Sequence, residues 1–150
     1  MSPPHEAVRN LLGRYCELLD RGDLEGVADL FAEAVLTDDD GREVARGREG
    51  TLRLLRGTLH LHGGSPRTRH LTTNSIIDVD EEAGTATARS AYVVLQATDT
   101  LALQPIIAGR YRDRFARRAD GEGWRFAERA FAIDLVGDLS HHMRYEVPPS

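Results

Sequence analysis

Arg14-Tyr15-Cys16-Glu17-Leu18-Leu19-Asp20-Arg21-Gly22-Asp23-Leu24, followed by Val27-Ala28-Asp29-Leu30-Phe31-Ala32, is the stretch that decides the fold. It reads as one helix, a sharp glycine turn and a second short helix. Val8, Leu11, Leu12, Tyr15, Leu18 and Leu19 recur at helical spacing, which predicts an amphipathic helix over roughly residues 5–20. Pro3 and Pro4 suit its start. Gly22 can take the left-handed conformation that ends it, and Asp23 can cap the helix that follows. A lone tyrosine thus sits in the apolar stripe, with a carboxylate where the helix stops.

Outward from this stretch, Ala34 to Thr37 reads as a short strand, Asp38-Asp39-Asp40-Gly41-Arg42 as a turn and Glu43 to Arg46 as a returning strand. Residues 48–60 read as a third helix with Leu52, Leu55 and Leu59 on one side. Gly63-Gly64-Ser65-Pro66 breaks the pattern. Beyond it comes a meander of strands over 69–79, 85–97, 106–116 and 124–136, with hairpin signals at Asp80 to Gly84 and Asp120 to Gly123. Helices first and hairpin-linked strands after them predict an α+β domain, its helices packed on one face of an antiparallel sheet. The segment from His141 to Ser150 reads as a peripheral tail, and nothing reads as a linker or repeat.

Composition narrows the function classes. The 150 residues fit one domain with a sizeable core, and 41% hydrophobic with 29% charged residues is ordinary globular usage. No apolar run approaches the roughly 20 residues needed to cross a bilayer. The N-terminus lacks the features of a signal peptide, so a cytoplasmic location is expected. One cysteine excludes an intrachain disulfide, and Cys16 reads as a half-buried filler. All 19 basic residues are arginine, yet the net charge is −5, which argues against a nucleic-acid face. In Arg110-Tyr111-Arg112-Asp113-Arg114 the arginines alternate onto one side of a strand, a solvated or subunit-contact side.

Several side chains carry potential chemistry. The Tyr15 hydroxyl needs a partner, either a backbone carbonyl or a substrate oxygen. Asp20 lies about 140° further round an ideal helix, so it meets Tyr15 only if the Arg21-Gly22 turn swings it inward; otherwise it braces that turn. Alternation places His70, Thr72 and Asn74 on one face of the first long strand, either as a pocket lining or as a solvated edge. A carboxylate beside His70 would fix its tautomer and make it a competent base. Asp38 to Asp40 reads as a solvated hairpin turn. In the last strand Trp124, Phe126, Glu128, Ala130, Ala132 and Asp134 alternate against Arg125, Ala127, Arg129, Phe131, Ile133 and Leu135. Both sets mix polar and apolar groups, which points to a subunit contact. No phosphate loop, nucleophile elbow or zinc motif is present, and His60, His62, His141 and His142 lack a carboxylate or cysteine at ligand spacing. Neither a metal nor another cofactor is expected.

The signature Asp20-Arg21-Gly22-Asp23 with Leu30-Phe31, then Gly109 to Phe115 and Gly123-Trp124-Arg125-Phe126, resembles the nuclear transport factor 2-like superfamily. Within it the chain is similar to the SnoaL-like proteins, scytalone dehydratase, the bile acid 7α-dehydratases and ketosteroid isomerase relatives. The resemblance covers essentially residues 5–140 and implies a cone-shaped α+β barrel: three N-terminal helices on a curved antiparallel sheet. It also implies a Tyr-x4-Asp pair at Tyr15 and Asp20 working with His70 as catalytic groups on a small hydrophobic substrate. Asn74, Tyr92, Tyr111, Arg129 and Asp39 are the candidate substrate contacts, Asp39 (or else Asp38) standing near the isomerases' general base. The implied activity is a dehydratase on a polycyclic, polyketide or terpenoid-like carbonyl compound. An isomerase, a cyclase or a ligand-binding module is the alternative, and a homodimer through the outer sheet face is implied.

Overall fold

The computed structural model describes residues 2–147. Helix α1 (Pro4–Arg21) buries Val8, Leu12 and Leu19 along the stripe read from the sequence. It stops at Gly22, whose φ of 81° lets its own N–H reach Leu19 O (3.0 Å) and the Asp23 N–H reach Leu18 O (2.9 Å). A Cβ at Gly22 would stand 1.9 Å from the carbonyl oxygen of Gly64, so two backbones touch there with no side chain between them. That contact docks the end of α1 beside the start of the first long strand. Asp23 then caps α2 (Leu24–Leu30) through the Gly26 N–H at 2.9 Å.

The short strands β1 (Val35–Thr37) and β2 (Glu43–Arg46) precede α3 (Gly47–Thr58), and four long strands follow: β3 (Thr68–Asp80), β4 (Thr85–Gln96), β5 (Gln104–Arg117) and β6 (Trp124–Val136). They form one open six-stranded sheet in the order β2-β1-β6-β5-β4-β3, antiparallel except where β1 runs parallel to β6. The four-strand meander is therefore extended by the β1–β2 hairpin, and the three helices pack against the curved sheet. Phe31, Phe115 and Phe126 fill the apolar end, with Phe126 centred 4.6 Å from Phe31 and 4.8 Å from Phe115. No described helix is long and apolar enough to cross a membrane.

Two bulges correct the plain alternation expected of the strands. In β3 the register with β4 slips between Thr73 and Ile76, with Asn74 at φ 53°. The inward row of His70 and Thr72 continues through Ser75 rather than Asn74, which is exposed on the outside. In β6 Arg114 faces Glu128 while Phe115 faces Phe126, so Ala127 is an extra residue. The inner face is consequently Trp124 and Phe126, then Arg129, Phe131 and Ile133. Much of the mixed polarity assigned to both faces of this strand comes from counting through that bulge.

The segment after β6 is not peripheral. Leu139 and His142 are buried, and Met143 pairs with Leu59 in an isolated antiparallel bridge. The Arg144 N–H donates to Thr58 O (2.8 Å) and its Nε to Leu59 O (2.9 Å), satisfying carbonyls left open at the end of α3. The last three residues of the expected tail, 148–150, lie outside the described residues.

Candidate active site

Asp20 and His70 meet where α1 docks on β3. Asp20 Oδ1 lies 2.5 Å from His70 Nδ1 and accepts the Thr68 hydroxyl at 2.9 Å, while Oδ2 accepts the His70 backbone N–H at 2.8 Å. Three donors converging on one carboxylate hold the imidazole with Nδ1–H toward Asp20, leaving Nε2 with its lone pair. Burial acting alone would raise the Asp20 pKa. The hydrogen bonds from His70, the positive charge its ring carries when protonated, and the Thr68 hydroxyl outweigh it and hold the carboxyl below its ordinary value. His70 is buried, and its remaining edge lines a cavity between helices and sheet.

Asp20 itself is not part of the cavity lining, and the turn does not swing it inward to meet Tyr15. Helix α1 stays regular through Arg21, so the angular offset from Tyr15 is kept. Tyr15 faces the cavity, and Asp20 faces the seam between α1 and β3, behind His70. The cavity interior is about 130 Å³. Leu19, Val27, Leu54 and Leu55 form its helical wall, and Val94, Ile107, Phe131 and Ile133 its sheet wall.

The polar groups of the wall form one aromatic and cationic cluster. Tyr15 packs edge-on against Phe31 (5.9 Å between centroids), Tyr111 (6.1 Å) and His70 (6.3 Å). Burial raises the Tyr15 pKa, opposed by the nearby Arg129 charge, so the hydroxyl stays a donor. Tyr92 stacks on Tyr111 at 4.1 Å and spends its hydroxyl on Ala132 O at 3.2 Å. It can lie across β5 because residue 109 is glycine: a Cβ there would come within 2.6 Å of the Tyr92 ring. Arg129 holds Asp113 through two bonds of 2.7 and 2.9 Å, both side chains no more than 2% exposed. Its guanidinium lies 3.7 Å from the Tyr111 centroid and 4.5 Å from that of Tyr15. Burial alone would lower the Arg129 pKa, but the Asp113 carboxylate outweighs it and the cation is held firmly. Its Nη1 is buried without a partner.

Of the sequence-predicted set, Tyr15, His70, Tyr92, Tyr111 and Arg129 line the cavity, with Asp20 one layer behind. Asn74 and Asp39 do not reach it. Asn74 is turned out by the β3 bulge, and Asp39 is exposed on the outer face, where it pairs with Arg112 (2.8 Å) and Arg110 (3.4 Å). Two residues escaped the sequence reading. Asp113 had a usable signal, since alternation puts it on the face of Tyr111 and a buried acid needs a cation. His142 had none, because it belongs to a segment without regular structure.

The sequence model of the SnoaL-like domain matches residues 3–130. The chain belongs to the SnoaL-like domain family. This SnoaL-like chain is 31% identical to a Mycobacterium tuberculosis protein of unknown function, covering 88% of this chain and 72% of that one at a TM-score of 0.69. A Catenulispora acidiphila protein solved in complex with S-DNPA is 27% identical, with 86% and 92% covered and a TM-score of 0.68. A putative scytalone dehydratase from Novosphingobium aromaticivorans shares the fold at 22% identity, with 97% and 90% covered and a TM-score of 0.71. No curated protein matches the chain. Cavity-lining Phe131, Ile133, His142, Met143 and Tyr145 lie beyond the matched residues.

Proposed function

We propose that this SnoaL-like protein is a cofactor-independent lyase that eliminates water β to a carbonyl group. The observation that carries the reading is the Asp20–His70 pair, in which the buried imidazole has its free edge on an apolar cavity. His70 Nε2 takes the acidic α-proton, and the Asp20 carboxylate balances the imidazolium so formed. The carbonyl oxygen gains charge as the enolate develops. The Tyr15 hydroxyl and the unpartnered Arg129 Nη1 are the donors for it. Collapse of the enolate breaks the β C–O bond, and the departing oxygen takes the proton from His70 and leaves as water. Protons and charge balance, and His70 returns to its neutral form.

The cavity resembles in size the roughly 150 Å³ apolar void that accommodates a benzene ring. One ring of a polyketide or terpenoid-like substrate fills it, and further rings lie at the mouth beside the half-exposed Tyr145. That the Catenulispora relative was solved in complex with S-DNPA supports a ligand-binding role for this fold. An isomerase using Asp39 as base is disfavoured by the position of Asp39 on the outer face. We also infer a homodimer through the outer face of β5 and β6, with about 800 Å² buried per subunit. A monomer by light scattering at micromolar concentration would refute that part.

The test is incubation with a panel of cyclic β-hydroxy ketones in D2O, read by mass spectrometry. Loss of water, abolished in His70→Ala, supports the lyase. Deuterium uptake at constant skeleton mass indicates enolisation without elimination and favours the isomerase class. No change in any member with the wild-type protein refutes the enzymatic reading for this substrate class.

A further inference from the structure

His142 is the buried group for which the mechanism above has no use. It comes from the segment after β6, beyond the residues that match the family. Only 2% of it is exposed, it lines the cavity, and its Nδ1 has no hydrogen-bond partner. Its ring centre stands 6.2 Å from that of His70. The backbone on both sides is clamped. The His60 N–H donates to His142 O at 2.8 Å, and His141 O accepts from Gln96 Nε2 at 3.0 Å and bonds His62 Nε2 at 2.7 Å. Such anchoring is spent on a loop that delivers one imidazole to the pocket.

A buried polar nitrogen left unpaired costs roughly 1–3 kcal/mol, so a partner is expected to arrive from outside the protein. Burial, and then the neighbouring His70, push the His142 pKa down to about 4, although Asp20 opposes them. The ring is therefore uncharged near neutrality, and a neutral imidazole offers one donor and one acceptor. Its complement is an oxygen that can bond a neutral N–H or lone pair, such as a hydroxyl.

We propose that His142 is a substrate-binding residue whose Nδ1 holds a hydroxyl oxygen of a one-ring ligand, opposite the imidazole edge of His70. Two imidazoles at this separation can address neighbouring atoms of one ring, a C–H at His70 and an oxygen at His142. On the lyase reading, that oxygen is the one that leaves. The binding claim itself does not need turnover, so the two can fail separately.

The experiment uses phenol and toluene as probes of equal shape, titrated into the full-length protein by calorimetry, with histidine 15N spectra recorded alongside. Phenol binding should shift the His142 Nδ1 resonance, and toluene should leave it in place. His142→Leu should weaken phenol about 5–10-fold while toluene binding is kept, the loss of one neutral hydrogen bond. His142→Asn places an amide near the lost Nδ1 and should recover most of the phenol affinity. Should His142→Leu fail to fold, the wild-type spectra decide alone. An unmoved Nδ1 resonance on saturation with phenol, absence of phenol binding, or equal losses for both probes in His142→Leu would overturn the assignment.

Discussion

The strands β5 and β6 carry arginine–carboxylate pairs on both faces, and the two faces use the same chemistry to different ends. Inside, Arg129 and Asp113 are bonded at 2.7 and 2.9 Å with almost no exposure. Outside, Arg110 holds Asp134 through two bonds of 2.8 Å, but the side chains are 51% and 39% exposed. Water competes for every charge on the outer face, so its ion pairs do little more than order the surface. On the inner face bulk solvent does not reach the pair, and each charge is compensated by its partner alone. The same guanidinium–carboxylate geometry is therefore dispensable on one side, whereas on the other neither member can be removed without the other.

The largest effect is expected where the inner pair is broken. Asp113→Ala leaves a buried cation uncompensated and should destabilise by about 3–5 kcal/mol in urea denaturation. Replacing both members, Asp113→Leu with Arg129→Met, should recover much of that loss. Failure of the double change to recover anything would mean that Arg129 is held by its aromatic neighbours rather than by Asp113.

His70→Ala comes next. Removing the proposed base should lower turnover by roughly 10²–10⁴-fold with the fold intact by circular dichroism. Tyr15→Phe removes one donor without the base and should cost less.

Acid supplies a third contrast, because the inner face holds a histidine that resists protonation. The unfolded chain binds a proton at His142 near pH 6.5, but the folded chain only near pH 4. The unfolded state therefore carries more protons in this window, and stability falls as pH drops from 6.5 to about 4, by roughly 3 kcal/mol in all. The groups facing His142 are His70, Asp20, His60 and His62. Asp20, with its lowered pKa, contributes stability above the ordinary carboxylate range that is lost only at more acid pH. Urea midpoints measured across pH 4–7 should show the slope in the wild type and a flatter line in His142→Asn.

The smallest effect belongs to the outer face. Asp39→Asn breaks contacts with Arg110 and Arg112 in water and should leave both turnover and the urea midpoint where they were. A large loss of turnover there would instead revive a general base in the β1–β2 hairpin.

How far the site could be read in the sequence follows from the same geometry. Periodicity located every helix and long strand, because α1 and the four strands each have one face that must be buried. The join of Asp20 to His70 came from a family resemblance, and the structure provides its physical route, the Gly22 turn resting on Gly64. Alternation failed where the backbone gained a residue: Asn74 sits on one bulge, and Ala127 marks another that puts Phe126 and Arg129 on a common side. A bulge is a backbone event with little side-chain signature, so counting by twos runs straight through it. His142 was invisible for another reason, since a loop's place is fixed by partners distant in the chain, here Leu59, His60 and Gln96.

The contact between Gly22 and Gly64 also limits how this protein can vary over generations. A glycine-rich turn such as 63–66 would ordinarily be a place where residues can be gained or lost without consequence. Here the turn is the surface on which α1 comes to rest, so one extra residue would act as a wedge under the helix. The wedge would part the Asp20 carboxylate from the His70 imidazole, the one contact on which the proposed chemistry rests.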